Sequence, residues 1–474
     1  MARTLWGGVI NIQTRRHKAK GRRTQARVMY GSYNTQKYLI NNGYNKGKLS
    51  TFVSVNHDRT DGHRENAAFR QTNTFAKIGY EASEHFSTMA DASIAKSWGQ
   101  NPGMETQLLA DNTMNVLRGT ASFALENSYD QSSGALRLFY NWGRHKINDG
   151  YAIDGGSPLP YMFHPFDNNY GALLYQTFRS FKGNSFTLGL DYKNWGGKAW
   201  QDSTNNARYD MIDKSVREVA GYFIMQQDVA DRLSLNAGVR FEHNSTFGGE
   251  WIPQAGITYR AFEGNTLRAS FSKGFRSPNI REMYMFPPQN ADLKPEQLFN
   301  YEVSIEQFFL EDLLRAKLTG FYIDGKDMIQ VVFADGKPKN QNTGVFTNKG
   351  FEAELDWRIM SGLNLAMHYS YLHTDKPLLA APKHRFVANA TYAIGGLSFN
   401  AYAQSVSGLY LNVKTEEQTA YATLNAKAAY TFKPEQCDLI LFLKGENLTA
   451  TRYSINEGFP MPKAVFFAGV DVSF

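Results

Sequence analysis

The chain has 474 residues, 51 Lys and Arg against 44 Asp and Glu, and a net charge of +7. No run of about 18 apolar residues occurs, which excludes a membrane-crossing helix. A mean hydropathy of −0.45 would suggest a water-borne protein, but strands of a membrane barrel carry a polar residue at every second place and average out in the same way.

In chain order, the first 16 residues hold a short apolar run, Gly7-Gly8-Val9-Ile10-Asn11-Ile12-Gln13, which is followed by the basic cluster Arg15-Arg16-His17-Lys18. This reads as the tail of something preceding a sheet. Residues 1 to 4 open no apolar signal region, and an exported barrel requires one, so the expectation is a piece of a longer gene product. From about Arg23 the pattern is hairpin after hairpin. Leu233, Leu235, Ala237, Val239 and Phe241 alternate with Ser234, Asn236, Gly238, Arg240 and Glu242. Similar period-2 runs recur at 267–272, 363–370 and 397–404, and no helical periodicity competes with them. Polar lumen positions are expected at Arg240, Glu242, Arg268 and His368.

The connections alternate in length. Tight turns are expected near 45–47, 183–184, 263–264, 311–312, 361–362 and 395–396. Longer polar segments are expected at 57–68, 98–111, 147–167, 200–212, 276–296, 326–342, 407–418 and 449–462. One short rim and one long rim, with about 22 strands, describe an antiparallel transmembrane β-barrel. Tyr30, Tyr33, Tyr80, Trp98, Trp142, Trp195, Phe275, Phe309 and Trp357 near strand ends are read as interfacial girdles. A soluble β-sandwich also alternates, but runs such as Asn112 to Ser128 exceed its usual strand of about 5–6 residues.

His57, Asp58, Asp61 and His63, and the acids Asp149, Asp154 and Asp167, lack the spacing of a known metal loop and read as solvated charge. No HExxH, GxSxG or phosphate-binding glycine loop is present, so an enzyme is not expected. The basic residues are spread along strands and turns, which argues against nucleic acid. The one cysteine, Cys437, excludes an internal disulfide. The last stretch places Ala464, Phe466, Ala468, Val470, Val472 and Phe474 on one apolar face. Such a terminal strand is hazardous unless both edges pair, and closure onto the first strand solves this.

The run Phe275-Arg276-Ser277-Pro278, followed by Asn290-Ala291-Asp292-Leu293-Lys294-Pro295-Glu296 and Asn300-Tyr301-Glu302, resembles TonB-dependent outer-membrane receptors. Gly7 to Thr14 resembles the last strand of that family's plug, Gly31 to Thr35 its first hairpin, and Glu446-Asn447-Leu448, Tyr453, Gly458-Phe459-Pro460 and Phe474 its closing region. The resemblance implies residues 1–18 as plug remnant and linker and 19–474 as the barrel, in the outer membrane of a Gram-negative bacterium. It further implies import of a scarce nutrient, a ferric siderophore or similar metal chelate first, with cobalamin or haem as alternatives. A passive porin is the reading if no plug exists.

Partners implied are TonB through a region before this chain, the nutrient chelate, outer-membrane lipid and lipopolysaccharide, and barrel-assembly machinery reading Phe474. No cofactor is implied. Ligand capture is expected on extracellular loops, with Tyr151, Tyr161, His164, Arg276, Met283, Tyr284, Met285 and Tyr410 as candidates. Aromatics there give contact area at low entropy cost. Phe275, Arg276, Pro278, Leu293, Pro295 and Glu296 are expected to order the loop. Haem receptors of the family place a histidine between the two loop motifs, and none lies between Pro278 and Asn290, only Tyr284 and two methionines.

Overall fold

The computed structural model describes residues 14, 20–150, 161–203, 207–334 and 336–474. Tyr151, Asp154 and nearly all of the expected plug strand lie outside these. The described chain forms one 22-stranded sheet, each strand antiparallel to its neighbours in sequence. It closes where the first strand, Gly21–Gly31, pairs with the last, Val465–Ser473, in a register running from Gln25 opposite Ser473 to Gly31 opposite Phe467. Thr24 and Phe474 exchange two backbone hydrogen bonds at 2.7 and 2.9 Å. Among the described residues each strand of the cylinder has a partner on both sides, which removes the hazard of an apolar terminal strand.

Parity decides what each face meets. On the strand Leu233–Asn244, Leu235, Val239 and Phe241 are exposed on the outside, while Arg240 and Glu242 are buried within. On the closing strand Phe466, Val470 and Phe474 face out, and Asp471 faces in to accept from Gln25 and Arg27. Lipid-facing apolar atoms are satisfied without water, whereas a charge there would cost about 2–4 kcal/mol at the midplane. Trp142 lies on this outer face over Gly119, where an added Cβ would stand 2.5 Å from the indole. Trp195 shares the parity of the inward Asp191 and Lys193, and Phe275 is buried. Neither is a girdle residue, contrary to expectation.

The two rims differ. Strand ends join the termini on one rim, whose connections run from the tight 47–48 and 361–362 to 179–183, 260–264 and 433–437. The opposite rim carries 277–295, 327–344 and 447–464. It also carries brief connections such as 245–247 and 413–416, because the strands themselves project past the membrane. Arg208–Ala230 has 23 residues and Asn184–Ser203 has 20, about twice the ~10 needed to span. Among the described residues, 161–167, 200–203, 208–212 and 407–412, expected in loops, are therefore strand. Tyr161 and His164 lie on Tyr161–Phe178, and Tyr410 lies on Leu397–Asn412.

Candidate functional site at the mouth of the barrel

On the long rim the loop 277–295 is held by a dense set of hydrogen bonds. Asn279 caps the short helix Ile280–Tyr284, its side chain accepting from the Glu282 amide while Glu282 accepts from the Asn279 amide. This reciprocal box satisfies two amides that a helix start leaves orphaned. Arg276, the last residue of the strand Asn265–Arg276, donates to both Glu282 oxygens at 2.9 and 3.0 Å and through Nε to Glu296. Glu296 is 2% exposed, and its other oxygen accepts from the Ile329 amide at 2.6 Å. A buried carboxylate is stable only when its lone pairs are filled in this way.

Through these contacts the loop is bonded to its neighbour, 327–344. Asn340 donates to the Glu282 carbonyl at 3.0 Å, Asn290 donates to the Asn340 carbonyl at 2.7 Å, and Asn342 exchanges bonds with Lys294. Phe275, Pro278, Met283, Leu293, Leu298, Met328 and Phe346 are buried at the loop bases. Phe346 lies on Gly325, where a Cβ would meet its ring at 2.1 Å. Here glycine is required by close approach rather than by a turn. Of the residues expected to order the loop, Arg276 and Glu296 lie in this clamp, Phe275, Pro278 and Leu293 are buried at its base, and Pro295 directly precedes Glu296.

From that base the loop reaches across the opening. Phe286 packs edge-on against Phe163 at 5.4 Å, and the Lys214 ammonium stands 5.3 Å from the Tyr284 ring centre. Tyr161 and Phe163 share the inward parity of Asp167, which Arg118 and His145 hold at 2.6 and 3.3 Å. Below, Arg240 bonds Asp191 and Glu242. Nearer the short rim Arg315 contacts Glu306, Glu354 and Asp356, while Arg268 contacts Glu306. The lumen wall is thus a ladder of paired charges, able to hydrogen-bond water, polypeptide or a polar ligand.

The candidate residues separate. Tyr161, Tyr284 and Met285 are half-buried, Tyr161 two residues before Phe163 on its strand and Tyr284 and Met285 just before Phe286 on the loop. Met283 is 4% exposed and is loop core. Arg276 has both its acidic neighbours, so it holds the loop and is no vacant anion receptor. His164 faces outward, stacked on Trp200 at 5.4 Å with Asp202 at 3.0 Å. Tyr410 lies past a bulge between Val406 and Leu409, bridged to Leu379. Phe163, Lys214 and Phe286 were missed. Counting parity back from Asp167 would have found Phe163.

Other sequence clusters disperse. His57 bonds Thr72 and His63 bonds the Pro460 carbonyl. Asn34 and Arg59 donate to Asp61 and hold its carboxyl below its ordinary range. On the closing loop Tyr453 stacks on Tyr421 at 4.1 Å, and burial pushes its phenol up. Among the described residues no group of three or more His, Cys, Asp or Glu side chains is placed to hold a metal.

The sequence model of a family described as "TonB dependent receptor-like, beta-barrel" matches residues 22–448. The chain belongs to that family. As a TonB-dependent receptor barrel it resides in the outer membrane of a Gram-negative bacterium. Among curated relatives, the "Iron-regulated outer membrane virulence protein" of Vibrio cholerae serotype O1 is 28% identical over 222 residues, 40% of this chain and 34% of that protein. The "Probable TonB-dependent siderophore receptor PirA" of Acinetobacter baumannii is 31% identical over 193 residues, 35% of this chain and 25% of that protein. The chain therefore spans about a third or less of the length of these relatives. Among solved structures, the siderophore receptor PirA from Acinetobacter baumannii superposes with a TM-score of 0.77 at 17% identity, covering 96% of this chain and 81% of that one. The "Copper transporter OprC" gives 0.82 at 15% identity, covering 98% and 81%. Likeness at such identities concerns the fold alone.

Proposed function

We propose that this chain is the barrel of an energy-coupled importer whose cargo is a ferric siderophore or a similar metal chelate. One observation carries the reading. The loop 277–295 is clamped at its base by Arg276, Glu282 and Glu296, and presents Tyr284, Met285 and Phe286 toward Phe163 and Lys214. An aromatic surface beside an ammonium suits a chelate whose ligands are planar and whose net charge is negative. The curated relatives, named for iron regulation and siderophore reception, support the same class.

In this reading Tyr161, Tyr284 and Met285 contact cargo, joined by Tyr151. Residues 1–18 lead from a plug, and a segment before them engages TonB. Phe474 serves barrel assembly. The test is growth of an iron-starved deletion strain carrying the full gene, with single ferric chelates as iron source and with or without TonB. Restored growth on one chelate that vanishes without TonB supports import. Equal growth without TonB would sink it and favour a passive pore.

A further inference from the structure

The loop 327–344 carries a strand edge that the barrel leaves free. Its hairpin, Ile329–Ala334 paired with Lys337–Asn342, is a two-stranded sheet of its own on the long rim. Two residues fix which way the backbone groups face. Pro338 has no N–H, and the Asn340 amide turns away from the hairpin to the Pro288 carbonyl at 2.6 Å. Phe333–Pro338 and Val331–Asn340 are therefore the pairs without ladder bonds, and the N–H and C=O of Val331 and Phe333 point to the opposite, outer side. Ile329 lies in the same phase, and its amide donates to Glu296. Among the described residues nothing bonds the four backbone groups of Val331 and Phe333.

The two edges of this hairpin are built differently. The edge of Lys337–Asn342 carries Pro338 between two lysines and is bonded at Asn340, devices that stop a strand from recruiting another. Ile329-Gln330-Val331-Val332-Phe333-Ala334 has no charge and no proline, and Ile329, Val331, Val332 and Phe333 favour extended backbone. Val331 and Phe333 are 52% and 64% exposed. Cations flank this strand on both faces. The Lys414 ammonium stands 4.8 Å from the Phe333 ring centre, while Lys337 and Lys339 share the other face with Val332. Among the described residues no carboxylate lies within salt-bridge reach of these three lysines.

We propose that the free edge of Ile329–Ala334 binds an extended acidic segment of a protein outside the cell, which adds as a third strand. The backbone of that segment bonds Val331 and Phe333, and its apolar residues cover those two side chains. Its Asp or Glu residues on the alternate face reach toward Lys337 and Lys339. The lysines select against a second copy of this chain, because edge-to-edge pairing of two hairpins brings like charges together. Edge bonding selects a polypeptide over a small chelate, so the surface is independent of the cargo.

The test titrates the full receptor in nanodiscs with a short synthetic peptide alternating valine and glutamate, with its lysine-for-glutamate counterpart, and with the glutamate peptide N-methylated at every residue. The glutamate peptide is expected to bind roughly tenfold or more tightly than the lysine peptide and to slow amide exchange at Val331 and Phe333. The N-methylated peptide, which has no backbone donors, does not bind. Val331→Pro removes one edge donor without touching a ladder bond and weakens binding about tenfold, whereas Val331→Thr keeps the donor and binds as wild type. Protection of the Val332 amide, which belongs to the ladder, verifies that the hairpin of Val331→Pro is intact. K337Q/K339Q/K414Q loses the preference for glutamate. Unchanged exchange at Val331 and Phe333, or equal binding of the N-methylated peptide, overturns the proposal. Equal binding of the glutamate and lysine peptides overturns the acidic partner, as does self-association of the receptor that Val331→Pro abolishes.

Discussion

The two faces of one wall solve opposite problems with the same strands. Inside, Arg240 is 2% exposed and lies between Asp191 and Glu242, so its charge is neutralised by neighbours at fixed distance. Outside, one residue away, Val239 and Phe241 meet hydrocarbon and need no partner. A sheet one residue thick can do this because successive side chains point to opposite sides. The lesson is that charge is tolerated inside by pairing and outside only by height above the belt.

The largest break of this contrast is expected inside. Arg240→Met strands Asp191 and Glu242 without their cation and destabilises by about 3–5 kcal/mol, measured by urea unfolding in bilayers. Next, Leu190→Arg on the outer face, where Leu190 is 61% exposed, costs about 2–4 kcal/mol. The inward Asn236→Arg stays within about 0.5 kcal/mol of wild type, and equal effects of the two would contradict the assignment of faces. Glu296→Gln keeps the shape but weakens the Arg276 contact, a loss of about 1–3 kcal/mol held within the loop. It is expected to make 277–295 protease-sensitive while global unfolding is unchanged.

The smallest effect is a titration. Asp61 is held below its ordinary value by Asn34 and then Arg59, so it favours the folded loop above the unfolded carboxylate range. That contribution is lost as pH falls through the lowered value. Amide exchange around 32–34 and 61–62 is expected to rise, beyond the intrinsic rate, below about pH 4. In Asp61→Asn it should be independent of pH in that range.

Period-2 alternation made the cylinder, its closure and its apolar exterior legible, as the strands Leu233–Asn244 and Val465–Ser473 demonstrate. The loop clamp was legible because Phe275 to Pro278 and Leu293 to Glu296 are short local runs. Strand ends were not. Above the membrane polar and apolar residues fall on both faces, as in Tyr161-Met162-Phe163-His164-Pro165-Phe166-Asp167, so 161–167 and 208–212 lose the alternation that marks a strand. His164 and Tyr410 were placed on loops for this reason. Outward cations such as Lys96, Arg144 and Lys198 appear scattered in sequence because each lies on a different strand, and only register across strands brings them into a row. Trp195 is different, since its odd position beside Asp191 and Lys193 was available all along.

The junction of Gly21–Gly31 with Val465–Ser473 has a temporal consequence. Its partners are separated by 444 positions at Arg27 and Asp471, so nothing local can form it. Until the final residues arrive, every intermediate is an open ribbon with two thirsty margins in a medium that offers no water. Such a polypeptide must be escorted to the membrane or be lost, and its assembly ends with a zip that only the finished chain can pull shut.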